Sequence, residues 1–194
     1  MIKSFLLAVA VLALGLFCAG AALADDVNIG SETAPILFNS PTATYGAEHE
    51  DGGDYKGWAF VFVKNTSTVA WSGFNFKIFS YPGGSTDISQ VSFLDATMND
   101  SLGNPGFSPM SSKTGLTWDI DNDVVGAEMT LNFQNDVINP NEMAWFQIYT
   151  DNTASHANFG LMMHPTAVVP EPSSLVAIST SLLGLAGFAW RKRS

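Results

Sequence analysis

The stretch that decides the fold is "WSGFNFKIF", residues 71–79, in which large apolar and small polar side chains alternate. In an extended chain, Phe74, Phe76 and Ile78 would lie on one face, and Asn75 and Lys77 would lie on the other. An apolar period of two residues predicts a β-strand with one buried face, because the apolar side chains of a helix recur every 3.6 residues.

The same alternation recurs along the chain in residues 115–121 ("GLTWDID"), 127–134 ("AEMTLNFQ") and 144–151 ("AWFQIYTD"). Residues 58–64 ("WAFVFVK") are apolar on both faces, which is typical of a central strand covered on each side. Turn-forming residues such as Asn139-Pro140-Asn141 separate these segments. We therefore predict an all-β fold, a single β-sandwich or jelly-roll-like domain over residues 25–168.

The tryptophans of this domain allow two interpretations. Large aromatic side chains usually fill the core of a domain of this size, and this is the interpretation we favour for each of them. The alternative is an exposed platform on which sugar rings stack. Trp145 is the best candidate for exposure, because its neighbours Phe146 and Ile148 would point to the opposite face. The tryptophans concerned are Trp58, Trp71, Trp118 and Trp145.

Charge is unevenly distributed along the chain. The formal net charge is −10, and residues 25–168 carry four cations against seventeen acids, a net charge of −13. Such a surface repels nucleic acid and anionic lipid, so no nucleic-acid partner is expected. Because 46% of the residues are hydrophobic, the composition is that of a folded chain rather than a disordered one.

The N-terminus has the features of a secretory signal peptide in their usual order. Lys3 precedes an apolar stretch from Phe5 to Phe17, and Ala22-Leu23-Ala24 matches the A-x-A pattern of a cleavage site. We predict a signal peptide at residues 1–24, export through the Sec translocon and cleavage after Ala24. An uncleaved anchor is the alternative. The single cysteine, Cys18, lies in this segment, so the mature domain would contain no disulfide.

The last residues combine an acidic motif, an apolar segment and a basic end. Pro170-Glu171-Pro172 enforces an extended approach. The uncharged segment from Leu175 to Trp190 would span about 24 Å as a helix, short of the ~30 Å hydrocarbon core. We expect a single transmembrane helix, oriented N-out and C-in, that holds the protein temporarily while Arg191, Lys192 and Arg193 stay in the cytoplasm. A permanent anchor and a buried helix are alternatives, and neither explains the Pro-Glu-Pro motif.

Residues 169–194 resemble the PEP-CTERM sorting signal of Gram-negative bacteria that make exopolysaccharide. In this resemblance, Pro170, Glu171 and Pro172 are the recognition motif, Leu175 to Trp190 is the membrane segment, and Arg191, Lys192 and Arg193 are the basic stop. The resemblance implies that exosortase, an integral-membrane enzyme similar to cysteine transpeptidases, processes the tail. The resemblance also implies that the processed protein passes to the cell surface or matrix. It does not identify a biochemical activity.

The sequence carries little catalytic signal. It contains neither a G-x-S-x-G nor an H-E-x-x-H motif, so we predict no catalytic residues and no enzymatic activity. His156 and His164 are isolated and are expected to be surface residues.

One acidic pattern has the alternation of a calcium loop. Asp119, Asp121 and Asp123 could bind calcium together with Glu128, although Val124 and Thr130 stand where an EF-hand requires Gly and Glu. The alternative is a solvated strand end. A second acidic cluster carries an equally weak signal and comprises Glu48, Glu50, Asp51 and Asp54. No other cofactor is expected.

Three functions are compatible with these features. The leading hypothesis is an exported structural or adhesive protein of an exopolysaccharide or biofilm matrix. The second is a carbohydrate-binding module with an exposed aromatic platform. The third is a secreted polysaccharide hydrolase, which would need two carboxylates facing each other across a cleft.

Overall fold

A computed structural model describes residues 27–49, 56–80, 88–153 and 158–168. These residues contain a short 3₁₀ turn, Ile88–Gln90, and no α-helix. The eleven strands are β1 (Val27–Ile29), β2 (Ile36–Phe38), β3 (Tyr45–His49), β4 (Lys56–Asn65), β5 (Trp71–Phe79), β6 (Val91–Leu94), β7 (Met110–Ser111), β8 (Thr117–Asp121), β9 (Glu128–Asn132), β10 (Met143–Asn152) and β11 (Phe159–Ala167).

The strands form two sheets, which confirms the predicted all-β class and is consistent with a sandwich. The larger sheet has the order β1-β4-β10-β6, with β2 also paired to β4 and β7 also paired to β10. The smaller sheet has the order β3-β11-β5-β9-β8. Within the described residues, no helix is long and apolar enough to cross a membrane. The predicted signal peptide and C-terminal tail lie outside those residues.

The two long strands β4 and β10 form the centre of the larger sheet. They pair antiparallel over nine consecutive residue pairs, from Met143–Lys64 to Asp151–Lys56. Each has two short strands in succession along its other side. Strands β1 and β2 run parallel to β4, whereas β6 and β7 run antiparallel to β10. The flanking strands are separated by residues 30–35 on one side and 95–109 on the other.

The core lies between the sheets and is built from the inward face of each strand. Phe146 of β10 meets Phe74 of β5 with ring centroids 4.9 Å apart, and Phe133 stacks on Phe146 at 5.9 Å. The predicted inward faces of residues 71–79 and 127–134 are confirmed, because all their members are buried: Phe74, Phe76, Ile78, Met129, Leu131 and Phe133.

Trp71 reaches the core because of an irregularity at the start of β5. The register between β5 and β11 shifts at Thr166 and Ala167, so that Thr166 pairs with Gly73 and Ala167 pairs with Trp71. This bulge turns Trp71 inward, where it is fully buried and packs edge-on against Phe38 with centroids 6.0 Å apart.

Asn65, at the end of β4, is a fully buried polar residue whose side chain uses all of its bonding capacity. Its Nδ2 donates to the carbonyl oxygens of Val69 at 2.8 Å and Ile138 at 3.0 Å. Its Oδ1 accepts from the backbone N–H and the hydroxyl of Ser67, at 2.9 and 2.7 Å. The backbone carbonyl of Asn65 also accepts the N–H of Asn141. One side chain therefore ties the β4–β5 loop to the loop before β10.

Lys113 connects two neighbouring loops in the same region. It is buried, and its ammonium group lies 2.8 Å from Asp136 Oδ1 and 2.5 Å from Glu142 Oε1. Burial lowers the pKa of Lys113, but the two carboxylates outweigh it, so the pKa lies above its usual value. The bond to Lys113 and the N–H of Thr114 lower the pKa of Asp136 to about 2. Burial raises the pKa of Glu142, but Lys113 and Asn139 outweigh it, so that pKa is also lowered.

Strand directions define two ends of the sandwich. Ala167 pairs with Trp71, and the N–H of Val168 donates to the carbonyl of Ala70 at 3.0 Å. The chain therefore leaves the sandwich at the end that holds Asn65, which we call the C-terminal end. The opposite end, which we call the far end, holds the β8–β9 loop and the last residues of β3 and β10.

Replacing Asn65 with alanine should destabilise the domain by about 2–4 kcal/mol, because several buried backbone and hydroxyl groups lose their partner. Urea unfolding monitored by tryptophan fluorescence would measure this change. Asn28→Ala is the matched control, since Asn28 is exposed on β1, and it should change stability by less than about 0.5 kcal/mol. Equal effects of the two substitutions would contradict the role assigned to Asn65.

The Lys113 cluster predicts a loss of stability in acid. Carboxyl groups with lowered pKa values stabilise the fold above their unfolded pKa values, which are 3.8 for Asp136 and 4.5 for Glu142. This stabilisation disappears as the pH falls through their folded values. Urea unfolding between pH 6 and pH 2 should show this loss, and Lys113→Met should make it smaller.

Lys77→Met is the matched control, because Lys77 forms an ion pair with Glu128 and both side chains are about half exposed. Exposed pairs contribute little, so this variant should keep the pH dependence of the unchanged chain. If Lys113→Met also keeps it, the cluster does not cause the acid sensitivity.

Candidate functional site

The outer face of the larger sheet carries a strip of aromatic side chains. Along β4, Ala59, Val61 and Val63 are buried in the core, so the alternate residues point outward. Each outward residue of β4 pairs with an outward residue of β10. We call this surface the aromatic face, and it is formed by the pairs Trp58–Tyr149, Phe60–Gln147 and Phe62–Trp145.

Phe107 extends this strip from the loop between β6 and β7. Its ring centroid lies 5.0 Å from that of Trp58 and 5.3 Å from that of Tyr149, and those two rings are themselves 5.0 Å apart. Tyr149 is buried, Trp58 is half-buried and Phe107 is 51% exposed. The three rings therefore form a supported cluster that presents Phe107 to solvent.

Three carboxylates hold the loop of residues 95–109 in place. Asp95 Oδ1 accepts from the N–H and hydroxyl of Thr97, at 2.8 and 2.6 Å. Asp100 Oδ1 accepts the N–H groups of Leu102 and Asn104, at 2.8 and 2.9 Å. Asp151, which is buried in β10, accepts the N–H of Ser101 at 2.7 Å. These bonds fix the backbone that carries Phe107.

Gly106 fixes the point at which this loop returns to the sheet. A Cβ atom at this position would lie 2.4 Å from the carbonyl oxygen of Asp95 and 2.9 Å from Leu94 Cβ. Its N–H donates to the Met98 carbonyl at 2.8 Å. Only glycine allows this approach, and it sets the position of Phe107, the next residue.

Asp95 also links the loop to the smaller sheet. Its Oδ2 accepts the indole N–H of Trp118 in β8 at 2.8 Å. The bonds from Thr97 and Trp118 lower the pKa of Asp95, which keeps it ionised near neutral pH. Beside this link, the Asn122 side chain bonds to both the N–H and the carbonyl of Phe93, at 3.0 and 2.8 Å. The edges β6 and β8 are thus joined across the sandwich.

Several polar groups on the aromatic face have no bonding partner within the described residues. Gln147 is 7% exposed, and its amide makes no side-chain hydrogen bond there. The indole N–H groups of Trp58 and Trp145 likewise make none with the described residues. Trp118, by contrast, uses its N–H on Asp95, whereas the buried indole N–H of the core residue Trp71 also has no partner within the described residues.

The aromatic face is almost free of charge. Among the outward positions of residues 58–64 and 143–149, Lys64 is the single charged residue. It lies in a row with Leu37 and Met143, which are 63% and 38% exposed, at the C-terminal end. An acidic domain therefore presents one uncharged, aromatic surface.

The outer face of the smaller sheet differs in chemistry. Its polar groups bond to one another: Asn75 Nδ2 donates to Thr166 at 2.6 Å, and Thr130 donates to Asn75 Oδ1 at 2.8 Å. Lys77 pairs with Glu128 on the same face. The polar side chains of this surface bond to one another, whereas those named on the aromatic face have no partner among the described residues.

The tryptophans divide between the two interpretations of the sequence. Trp71 is a core residue, and Trp118 packs partly buried against the core, as expected. Trp145 is half-buried on the outer face rather than in the core, although the core interpretation was favoured for it and exposure was the alternative. Trp58 is also on this face, although the sequence did not distinguish it from core tryptophans. Trp58 pairs with Tyr149 on a neighbouring strand, and such a contact between distant residues cannot be read from local sequence patterns.

The predicted calcium residues lie at the far end of the smaller sheet. Asp119 and Asp121 are exposed on β8, and Asp121 Oδ1 accepts the N–H of Asp123 at 3.0 Å, which forms a turn. Asp121 is paired with Glu128 across β8 and β9. Among the described residues, no group of three or more histidine or carboxylate side chains is arranged to hold a metal ion. Calcium binding stays a prediction.

Most other predicted site residues lie outside the described part of the chain. These include the cleavage residues, the sorting motif, the basic stop and most of the second acidic cluster: Ala22, Ala24, Pro170, Glu171, Pro172, Arg191, Lys192, Arg193, Glu50, Asp51 and Asp54. Glu48 is described, and its carboxylate accepts a hydrogen bond from Asn158.

Comparisons of this chain with protein-family models, curated proteins and solved structures gave no match.

Gly106→Ala should displace the loop of residues 95–109 and loosen the Phe107 cluster, at a cost of about 1–3 kcal/mol. Near-UV circular dichroism would report the change in aromatic packing, and urea unfolding would report stability. Gly103→Ala is the control, because a Cβ there meets nothing within 4 Å although φ is +84°. That variant should cost about 1 kcal/mol and keep the aromatic signal. An unchanged signal in both variants would contradict the role of Gly106.

Proposed function

We propose that this chain is an exported, non-enzymatic all-β protein of the cell surface or the extracellular matrix, with a structural or adhesive role. Exosortase would recognise its C-terminal tail after the tail has held the protein transiently in the inner membrane. The observation that carries the proposal is the order of the tail: Pro170-Glu171-Pro172, the apolar segment Leu175 to Trp190, and then Arg191-Lys192-Arg193.

The proposal includes the two segments that flank the domain. Residues 1–24 would direct export through the Sec translocon, and cleavage after Ala24 would leave two residues before β1 begins at Val27. The last strand ends at Ala167, three residues before Pro170. The span of the strands supports a single β-sandwich or jelly-roll-like domain over residues 25–168.

Strand direction supports a tethered arrangement of the domain. Because β11 ends at the C-terminal end of the sandwich, that end would face the membrane while the tail is embedded. The strands of the aromatic face run from this end to the far end. The long axis of the face would thus lie roughly along the bilayer normal, and the membrane would leave the face uncovered.

A carbohydrate-binding function is the second candidate, and one observation favours it. The aromatic face combines flat rings with polar groups that have no partner among the described residues. This role is compatible with matrix localisation, because a matrix protein has polysaccharide as its surroundings.

The sorting proposal predicts that the tail is processed only when exosortase is present. Mass spectrometry of the C-terminus from intact host cells should show loss of Ser194 in the parent strain. A strain that lacks exosortase should keep the full tail and hold the protein in the inner membrane. Glu171→Gln should reduce processing by removing the charge of the motif.

Ser173→Ala is the matched control, since it leaves the Pro-Glu-Pro motif and the length of the apolar segment unchanged, and its processing should be normal. Ser194 retained in the inner membrane of the parent strain would overturn the sorting proposal.

A further inference from the structure

We propose that the aromatic face binds an uncharged polysaccharide, with sugar rings stacked along β4 and β10 and with Phe107 at the border of the site. The inference rests on the proposed extracellular location and adds a surface, a ligand class and a binding mode to it. Three properties of the face support this: its shape, its unused hydrogen-bonding groups and its charge.

The shape of the face fits an extended polymer. Successive outward residues on a strand are about 6.6 Å apart, so Trp58 to Phe62 extends over about 13 Å. In the second row beside it, Tyr149 is 4% and Gln147 is 7% exposed, so Trp145 is the accessible ring of that row. Small-molecule sites are usually concave, whereas this surface is the outer face of a sheet. A linear chain can lie along it and contact several rings at once.

The chemistry of the face fits a ligand with both apolar and hydroxyl groups. Each pyranose ring has a face of C–H groups, which can pack on an aromatic ring, and an edge of hydroxyl groups. Gln147 offers a donor and an acceptor between Phe60 and Met110, its cross-strand neighbours. Trp58 and Trp145 belong to the outward cross-strand pairs on either side of the Phe60–Gln147 pair. A purely apolar partner would bury these polar groups without a bond, at a cost of about 1–3 kcal/mol each.

Charge favours an uncharged polysaccharide over a second copy of this chain. Residues 25–168 carry a net charge of −13, so two copies repel each other as they approach. The outward positions of residues 58–64 and 143–149 contain Lys64 as their single charge. An uncharged polymer reaches this face without electrostatic cost, whereas an acidic polymer would be repelled by the domain.

The loop of residues 95–109 gives the site a rigid border. Phe107 is 51% exposed, yet its ring rests on Trp58 and Tyr149. A ring already held in place loses little conformational entropy on binding, which favours affinity. The hydrogen bonds made by Asp95, Asp100 and Asp151 provide this rigidity before any ligand arrives.

The test is native affinity electrophoresis of the full-length chain, purified in detergent from a host that lacks exosortase. The gels would contain xyloglucan, galactomannan, anionic alginate or exopolysaccharide extracted from the native host. We expect retardation by at least one uncharged polysaccharide and none by alginate. Tryptophan emission should change on titration with the same polymer, because two indoles lie in the site.

Trp145→Ala and Phe107→Ala should each weaken binding about tenfold, the usual scale for losing one stacked ring. Tyr45→Ala is the matched aromatic control, because Tyr45 is 40% exposed on the smaller sheet, and its binding should be unchanged. Urea unfolding of each variant establishes that it is folded. If the Trp145 variant does not fold, Phe107→Ala at an exposed position still decides the outcome.

Gln147→Met separates a polysaccharide from a protein partner, since it keeps an unbranched side chain and removes the amide. Polysaccharide binding should weaken. If the face instead joins two copies of the chain, analytical ultracentrifugation should detect a dimer that this substitution strengthens, and the proposal would be overturned. Absence of both retardation and emission change with every polymer, or binding unaffected by Trp145→Ala and Phe107→Ala, would also overturn it.

The binding assay and the sorting assay can fail separately. Electrophoresis uses purified protein and does not depend on exosortase, whereas C-terminal mass spectrometry does not depend on the aromatic face. Loss of binding with normal tail processing would reject the polysaccharide site alone.

Discussion

The pairing of β4 with β10 is the constraint on which the rest of the molecule depends. Nine consecutive pairs fix which side chains of both strands face the core and which face outward. A shift of one residue in either strand would exchange these sets, so that Phe146 would leave the core and Trp145 would enter it. The same register thus builds the core and the aromatic face, and neither can be altered without the other.

The domain is held without disulfide bonds, because the single cysteine precedes it. Its loops are instead tied by buried polar side chains that each bond to more than one partner. Asn65 joins the β4–β5 and β9–β10 loops through four side-chain hydrogen bonds, and Lys113 joins the β7–β8 loop to the same β9–β10 loop through two carboxylates. Both groups lie at the C-terminal end, where the chain continues towards the predicted tail. Two of the loop ties therefore lie where the proposed tether would pull.

Local patterns predicted the parts of the structure that depend on local periodicity. The alternation in residues 71–79 and 127–134 identified the inward faces correctly, since period two determines side-chain direction in any strand. Residues 58–64 were expected to be covered on both sides, but their outward side chains are only half-buried. Apolar composition alone does not distinguish a covered face from a partly exposed one. Asn65 is a residue type common in turns. Its side chain is buried with a hydrogen bond to the carbonyl of Ile138, which is distant in the sequence, so local patterns could not predict its role.

The short strands that flank β4 and β10 complete the larger sheet, whereas the segments that connect them form loops at its surface. Each long strand is flanked by two short strands, β1 and β2 beside β4, and β6 and β7 beside β10. The segment that connects the two short strands of each pair contributes little to the pairing of β4 with β10. The segment 95–109 therefore lies outside the central pairing, and Asp95, Asp100 and Gly106 fix its backbone. Descendants of one ancestral scaffold could acquire new recognition properties by exchanging this segment, much as other sandwich proteins diversify through their loops.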